Sequence, residues 1–309
     1  MKVRFAILLF ICFGMASAQN KKFNSQEISV SPLIDGTLLL PKLEEPMPLV
    51  IIIAGSGPTD RNGNQQMMEN NSLRFLAEEL YEKGIASYRY DKRIVKHMKQ
   101  RDLIERNSRF DDFIKDAILV TEYFIKGGEF SKIYIIGHSQ GSLVGMVAAQ
   151  GRADGFISIA GAGQEIDDVI VDQLAKQAPG LVESARMAFD DLRLNGIALN
   201  YTPGLASILR ADIQPFIRSW MNYNPKVEIT KLDMPVLIIS GDKDLQVQVS
   251  EAELLQQAKP DAAYKIFPNM NHIMKFIEGN DIENSKSHNQ YNLPIMPELI
   301  ETLDVFIKN

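Results

Sequence analysis

The chain has 309 residues, 45% of them hydrophobic, and a formal net charge of -6. That is enough apolar material for one full core, and the acidic balance argues against nucleic acid or an anionic membrane as a partner. Cys12 is the sole cysteine, so no intrachain disulfide is expected, and no internal repeat or low-complexity segment is visible.

The N-terminus carries Lys2 and Arg4, then an apolar run from Phe5 to Phe13, then Ala16-Ser17-Ala18. A positive region, a short apolar run and an A-x-A site predict a signal peptide over 1–18, with the mature chain starting at Gln19. The run is short for a membrane span, and Cys12 does not sit in a lipoprotein box, so no stable membrane anchor is expected. The expected location is the periplasm or the outside of a bacterial cell.

Beyond it, Ile28-Ser29-Val30 and Thr37 to Leu40 flank Asp35-Gly36, which predicts a hairpin turning at Asp35-Gly36. Strands and helices then alternate: strand 49–53, helix 71–83, strand 85–90, helix 109–126, strand 132–136, helix 140–150 and strand 155–160. Such alternation predicts a mostly parallel sheet flanked by helices, an α/β fold. It breaks at residue 164. From there to 228 the pattern is helical, interrupted by Pro179, Gly196, Pro203 and Pro215, with Ile166, Val169, Ile170 and Leu174 at helical spacing. Alternation resumes with strand 235–240, helix 250–258, strand 263–267 and helix 297–308. The expected organisation is a core formed by 19–163 and 229–309, with 164–228 as a helical cap over a pocket. Trp220, Met221 and Tyr223 are candidates to line that pocket.

The strand at 132–136 runs into Gly137-His138-Ser139-Gln140-Gly141, and small helix-compatible residues follow. Strand, G-x-S-x-G and helix together make a nucleophile elbow, in which a strained serine stands above the sheet edge beside a helix N-terminus. An ordinary turn with a capping serine would carry the same five letters, so the partners decide. A serine hydroxyl needs a base, and the base needs an orienting acid. In this chain order the acid and then the histidine follow the serine. Of the four histidines, His97 precedes the serine in a basic, helical stretch (Lys96 to Arg101), and His138 is its neighbour, pointing elsewhere. His272 emerges just after the strand 263–267, whereas His288 lies in a polar stretch with no strand before it; His272 is the candidate base. The strand 235–240 ends in Gly241-Asp242-Lys243-Asp244, at the edge where α/β sheets bind ligands. Either aspartate follows the strand; Asp beside Gly often bonds within its own turn, which suits Asp242 and favours Asp244 as the acid.

The strand 49–53 leads into Gly55-Ser56-Gly57-Pro58-Thr59-Asp60-Arg61. Acyl transfer needs backbone N–H groups aimed at a developing oxyanion. Gln140, after the serine, supplies one; Ser56 is the best source of the other, since Gly55 and Gly57 let the backbone approach closely, and Gly57 is second. The loop lacks both the G-K-[ST] ending and the G-x-G-x-x-G spacing of nucleotide sites. An ion pair between this loop and Arg89 to Arg93, using Asp60 or Asp91 with Arg89 or Arg93, is expected to stiffen it.

These motifs resemble the α/β-hydrolase superfamily, and within it bacterial carboxylesterases related to the serine aminopeptidase-like branch. Those proteins carry G-S-G-P-x-D-R-x-G-N, matched by Gly55 to Asn64, and Tyr-Asp-Lys-Arg, matched by Tyr90 to Arg93. They also carry G-H-S-x-G at Gly137 to Gly141, G-x-x-D at Gly241 to Asp244, and Asn-His at Asn271-His272. The chain departs in having Ile94 and Val95 where relatives have glycines, and Ser142 where the elbow often has one. The resemblance implies Ser139, Asp244 and His272 as catalytic residues, Ser56 and Gln140 as the oxyanion hole, and Gly55, Gly57, Asp60 and Arg93 as support. It implies a serine carboxylesterase for small esters, working through an acyl-enzyme with no cofactor and no metal; the few large aromatics of the cap argue against a wide lipid channel and make short acyl chains the expected substrates. The alternatives are a peptidase or aminopeptidase, which needs an anionic anchor such as Glu165 or Glu183, and a non-catalytic binding module on the same fold. A haloalkane dehalogenase would need aspartate in place of Ser139.

Overall fold

A computed structural model describes residues 23–42 and 45–309; the expected signal peptide lies outside them. Eight strands form one sheet: β1 (Ser25–Ser31), β2 (Ile34–Leu39), β3 (Leu49–Ile53), β4 (Ala86–Tyr90), β5 (Ile133–His138), β6 (Gly155–Ile159), β7 (Val236–Gly241) and β8 (Ala263–Phe267). Their order is β1-β2-β4-β3-β5-β6-β7-β8. β1 with β2 and β2 with β4 are antiparallel; every later pair is parallel. The central strands read as unbroken apolar runs because helices cover both faces. β3, Leu-Val-Ile-Ile-Ile, is buried at every residue.

Two apolar layers hold the sheet. On one face, Ile114, Ala117, Val120 and Phe124 of the helix Phe110–Gly127, Val144 and Ala148 of Gln140–Ala149, and Leu255 of Val249–Ala258 pack against Ile51 and Ile135. On the other, Leu73, Leu76 and Leu80 of the helix Ser72–Glu82 and Leu299 and Leu303 of Pro297–Lys308 pack against Val50, Ile52 and Ile136. Between β6 and β7 the chain leaves the sheet for the helices Ile166–Gln177, Val182–Asn195, Ala206–Leu209, Gln214–Trp220 and Pro225–Thr230. This insertion has its own cluster, centred on Ala185, Phe189, Leu192, Leu209 and Ile217.

The N-terminal hairpin turns elsewhere than expected. The turn is Pro32-Leu33, and Asp35-Gly36 lies inside β2. Proline presets the first central turn position. Gly36 is needed for space: a Cβ there would stand 2.2 Å from Cζ of Tyr88, whose hydroxyl donates to the Ile28 carbonyl at 2.9 Å. The helix Arg93–Gln100 starts ahead of the helical stretch read at Lys96. The helix Asp281–Ser287 was invisible to hydrophobic periodicity, because its buried residues are the polar Asn284 and Ser287.

Gly36→Ala should therefore destabilise the fold by about 2 kcal/mol through overpacking against Tyr88. Gly127→Ala, where a Cβ meets nothing within 4 Å, should stay within about 0.5 kcal/mol of the parent. Urea unfolding of both variants checks the contrast.

Candidate active site

Ser139 joins β5 to the helix Gln140–Ala149 with φ 55° and ψ -122°, a conformation costly for a residue with a side chain. Its neighbours must be glycine. A Cβ on Gly137 would lie 2.3 Å from the Gly141 carbonyl oxygen, and one on Gly141 would lie 2.4 Å from that of Ile53. The turn is pinned by Ser139 N–H donating to the Ile159 carbonyl and Ser142 N–H to the Ser139 carbonyl, both at 2.9 Å. Ser142, in place of the more usual glycine, shares a 2.7 Å hydrogen bond with Ser158 of β6. Gln140 opens the helix, so its N–H has no intrahelical acceptor and lies at the positive end of the dipole.

Asp244 and His272 are joined. His272 Nδ1 donates to Asp244 Oδ2 at 2.7 Å, and both side chains are buried. Asp244 Oδ1 accepts the backbone N–H of Gln246 at 2.7 Å and of Val247 at 2.8 Å. The carboxylate is thus held on both oxygens, and with the proton on Nδ1 the imidazole leaves Nε2 unprotonated. Asp242 has another job: its Oδ1 accepts Asn269 N–H at 2.7 Å, tying the acid turn to the loop that carries His272. His272 and Ser139 line one small cavity of about 60 Å³ together with Ser56, His138 and His288.

His138, to which the sequence assigned no task, braces the base. Its Nε2 donates to the His272 carbonyl at 2.7 Å, and the rings lie 4.9 Å apart. Burial, with His272 beside it, pulls its pKa down to about 4, so at neutral pH it is an uncharged strut.

The glycine loop is held by more bonds than the sequence suggested. Ser56 is exposed and its carbonyl accepts from Thr59 Oγ1 and Gln65 Nε2, both at 2.8 Å. Gly55 is packed against the elbow: a Cβ there would lie only 3.2 Å from Ser139 Cβ. Gly57 has φ +80°, which glycine adopts at no steric cost. The expected ion pair between loops forms with Asp91, one of its two expected acids, but with Arg61 as the cation in place of Arg89 or Arg93. Arg61 Nε and Nη2 fork onto Asp91 at 3.1 and 3.0 Å, and the Arg61 N–H also donates to Asp91 Oδ1 at 2.9 Å. Asp60 instead accepts from its own loop, from Asn62 N–H at 2.8 Å and Asn64 N–H at 2.9 Å. Arg93 turns away and pairs with Asp116 of the helix Phe110–Gly127. Both supporting residues thus act locally, because an Asx turn and a nearby carboxylate satisfy them first. Lys92, between Asp91 and Arg93, is buried; its Nζ donates to the Gly55 carbonyl at 2.8 Å and to Gln140 Oε1 at 2.7 Å.

Two larger cavities, of about 340 and 260 Å³, open beside Ser56 and Gln140, and both are mainly apolar. Ile208, Ile217 and Trp220 of the insertion line both. Trp220 is stacked on Phe110, ring centroids 5.1 Å apart and planes 2° from parallel. Of the other expected pocket residues, Met221 is buried in the insertion's own cluster, and Tyr223 donates to Asp111 at 2.8 Å. Among the described residues no group of three or more His, Cys, Asp or Glu could hold a metal ion.

No protein-family profile matches the chain. It is 27% identical to Esterase EstD of Thermotoga maritima over 265 residues, which cover 84% of this chain and 62% of that protein. It is 26% identical over 120 residues to a Bacillus subtilis protein named "Probable aminopeptidase YbaC", covering 39% of this chain and 35% of the relative. The chain therefore spans less than two thirds of either relative's length. Among solved structures, Est1E from Butyrivibrio proteoclasticus superposes with a TM-score of 0.54 at 18% identity, covering 86% of this chain and 96% of that one, a likeness of fold.

The His138 strut makes acid stability testable. Its pKa is about 4 folded against 6.5 for a free imidazole. Between those values the unfolded chain binds a proton that the folded chain does not, so stability falls as pH drops from 6.5 toward 4, by up to about 3 kcal/mol. His138→Gln keeps an N–H donor and cannot titrate. Its urea-unfolding free energy should fall less over that window; an equal acid slope in both proteins would contradict the role.

Proposed function

We propose that the chain, whose fold is that of the α/β hydrolases, is a serine carboxylesterase acting through an acyl-enzyme. The observation that carries the reading is the Asp244–His272 hydrogen bond of 2.7 Å, with His272 lining the same cavity as Ser139. His272 Nε2 takes the Ser139 proton as the hydroxyl attacks the ester carbonyl, then delivers it to the leaving alcohol. The same nitrogen then activates water to release the acid. Asp244 fixes the tautomer and stabilises the imidazolium. The Ser56 and Gln140 amides receive the oxyanion.

The two apolar cavities meeting at Ser56 and Gln140 suit an ester with apolar groups on both sides of the carbonyl. The helical insertion 164–228 then acts as the cap, with Trp220, Ile208 and Ile217 as the partition, and short acyl chains are the expected substrates. The aminopeptidase reading needs a free carboxylate for the substrate amine. Glu165 is engaged by Arg193 at 2.8 Å and Asn224 at 3.0 Å. Glu183 is exposed and lines none of the cavities described above. Glu105 does line the larger cavity, and Arg210 holds both its oxygens at 2.7 Å. The ester reading is therefore the better supported. Secretion through a cleaved signal peptide completes it, and N-terminal sequencing of the exported protein should begin at Gln19.

Ser139→Ala should abolish hydrolysis of p-nitrophenyl esters, and a serine-reactive phosphonate should label Ser139 alone. Asp244→Asn and His272→Ala should each lower turnover by about 10⁴-fold, whereas Asp242→Asn and His288→Ala should cost less than about tenfold. A reversed ranking in either pair would place the acid or the base on the wrong residue. Faster cleavage of aminoacyl-nitroanilides than of any ester would move the assignment to the peptidase.

Removing the partition tests the substrate class. Trp220→Ala should shift the preferred acyl length while leaving an acetyl ester nearly unchanged. Each methylene is worth at most about 1 kcal/mol in such a pocket, so the shift should be graded. An acyl-length profile identical to the parent's would remove Trp220 from the pocket wall.

A further inference from the structure

Lys92 stands just past the C-terminal end of β4, buried, with Nζ 4.3 Å from the centre of the Phe113 ring. Among the described residues no carboxylate is hydrogen-bonded to it; its acceptors are the Gly55 carbonyl and the Gln140 side chain. Burial with no neutralising partner pulls the amine down to about 7. A methionine would fill much the same space without that cost, so what the amine adds is directional.

The two acceptors belong to the two residues or peptides that carry the oxyanion hole. In a trans peptide the C=O and the following N–H point opposite ways. Fixing the Gly55 carbonyl therefore fixes the direction of the Ser56 N–H, in the loop packed against Ser139. The same contact polarises that peptide and makes its N–H a stronger donor. The second bond holds Gln140, whose backbone N–H is the other arm. Arg61 and Asp91 stiffen the loop further along, but neither is bonded to the peptide that aims the amide.

We propose that Lys92 is a positioning residue for the oxyanion hole: one ammonium group ties the Gly55–Ser56 peptide to Gln140, so that the two amides converge on one point beside Ser139. The proposal rests on the serine-hydrolase reading above. It gives the Tyr90-Asp91-Lys92-Arg93 segment a divided task, with Asp91 bracing the loop through Arg61, Lys92 aiming its amide, and Arg93 anchoring the segment to Asp116.

The test compares Lys92→Met, Gln140→Leu and the double variant with the parent. The readouts are kcat and KM on p-nitrophenyl acetate, affinity for phenylboronic acid, which forms an anionic tetrahedral adduct with an active serine, and phosphonate labelling of Ser139. Losing one oxyanion donor outright costs about 10²–10³ in kcat, so misaiming it should cost about 10- to 100-fold in Lys92→Met. KM should stay within about threefold, and boronate affinity should fall by the same factor as kcat/KM, because both report the tetrahedral state. Gln140→Leu should cost about three- to tenfold and add little in the double variant, since the two side chains act through one contact. A folded Lys92→Met protein with kcat and boronate affinity near the parent's overturns the proposal. So does a loss of kcat with boronate binding unchanged. If circular dichroism shows that Lys92→Met does not fold, Gln140→Leu decides: unchanged boronate affinity there overturns it. Failure of the underlying reading is separately visible, because the parent itself would then escape labelling at Ser139, and both ideas would fall.

Discussion

The site depends on one close approach, between the helix Gln140–Ala149 and the carboxyl ends of β3 and β5. A Cβ on Gly141 would overlap the Ile53 carbonyl, and one on Gly137 would overlap the Gly141 carbonyl. No other residue type fits either position without separating helix from sheet. That contact sets Ser139 at positive φ, a strain on the order of 1–3 kcal/mol that the surrounding packing must hold. It also brings the loop after β3 against the serine. The nucleophile, the helix N-terminus and the glycine loop are therefore consequences of one steric fit, and the hydrogen bonds around them refine it.

What refines it is charge in a dry setting. Around Ser139 the structure places groups whose polar bonds are short and whose burial is nearly complete. His138 gives up its charge in order to brace a carbonyl. Lys275, three residues past His272, is fully buried; its amine donates to the carbonyls of Leu293 and Asn70, the latter at 3.1 Å, and burial lowers it to about 7. Its backbone N–H donates to the Asn271 side-chain oxygen at 2.9 Å. The loop that presents His272 is thus fastened on both sides of the imidazole. Such bonds are stronger than their solvated equivalents, and each acceptor would be costly to leave unpaired. This is the preorganisation that an oxyanion or an imidazolium requires, since the dipoles are in place before charge appears.

Much of this was legible in the sequence, for physical reasons that also mark its limits. The strands β3, β5, β6 and β7 and the helices packed on them carry strong patterns, because continuous burial writes itself as largely apolar or periodic residues. The elbow was legible because its steric demand leaves two glycines at fixed spacing. The hairpin was misplaced because Asp35-Gly36 has the composition of a turn, while Gly36 is there to clear the Tyr88 ring, a contact from a strand some fifty residues later. The helix Asp281–Ser287 left no apolar trace because it buries Asn284 and Ser287 against Asn271. The ion pair between loops was expected with Asp91 among its acids but with the wrong arginine. Arg61 and Asp91 have the reach and the fork geometry, while Asp60 is consumed by its own turn. Long-range polar pairings of this sort leave no periodic signature. Lys92 showed in the sequence only as a member of the Tyr90-Asp91-Lys92-Arg93 segment, just beyond a strand that is fully buried.

The insertion completes the argument by supplying what the sheet cannot. Strand ends and glycine loops offer polar atoms, which can stabilise a charged transition state but give little affinity for an apolar acid or alcohol. Ile208, Ile217 and Trp220 come from helices whose own cluster is built on Ala185, Phe189 and Leu192, and Trp220 is fixed by stacking on Phe110 of the core. The partition is thus supported from both sides, by the insertion's packing and by an aromatic of the core helix Phe110–Gly127. Chemistry and selectivity fall to different parts of the chain: the sheet edge sets the charges, and the helical insertion sets the shape around them. Changes in the insertion can then alter which ester fits while the close approach at Gly137 and Gly141 continues to hold the serine.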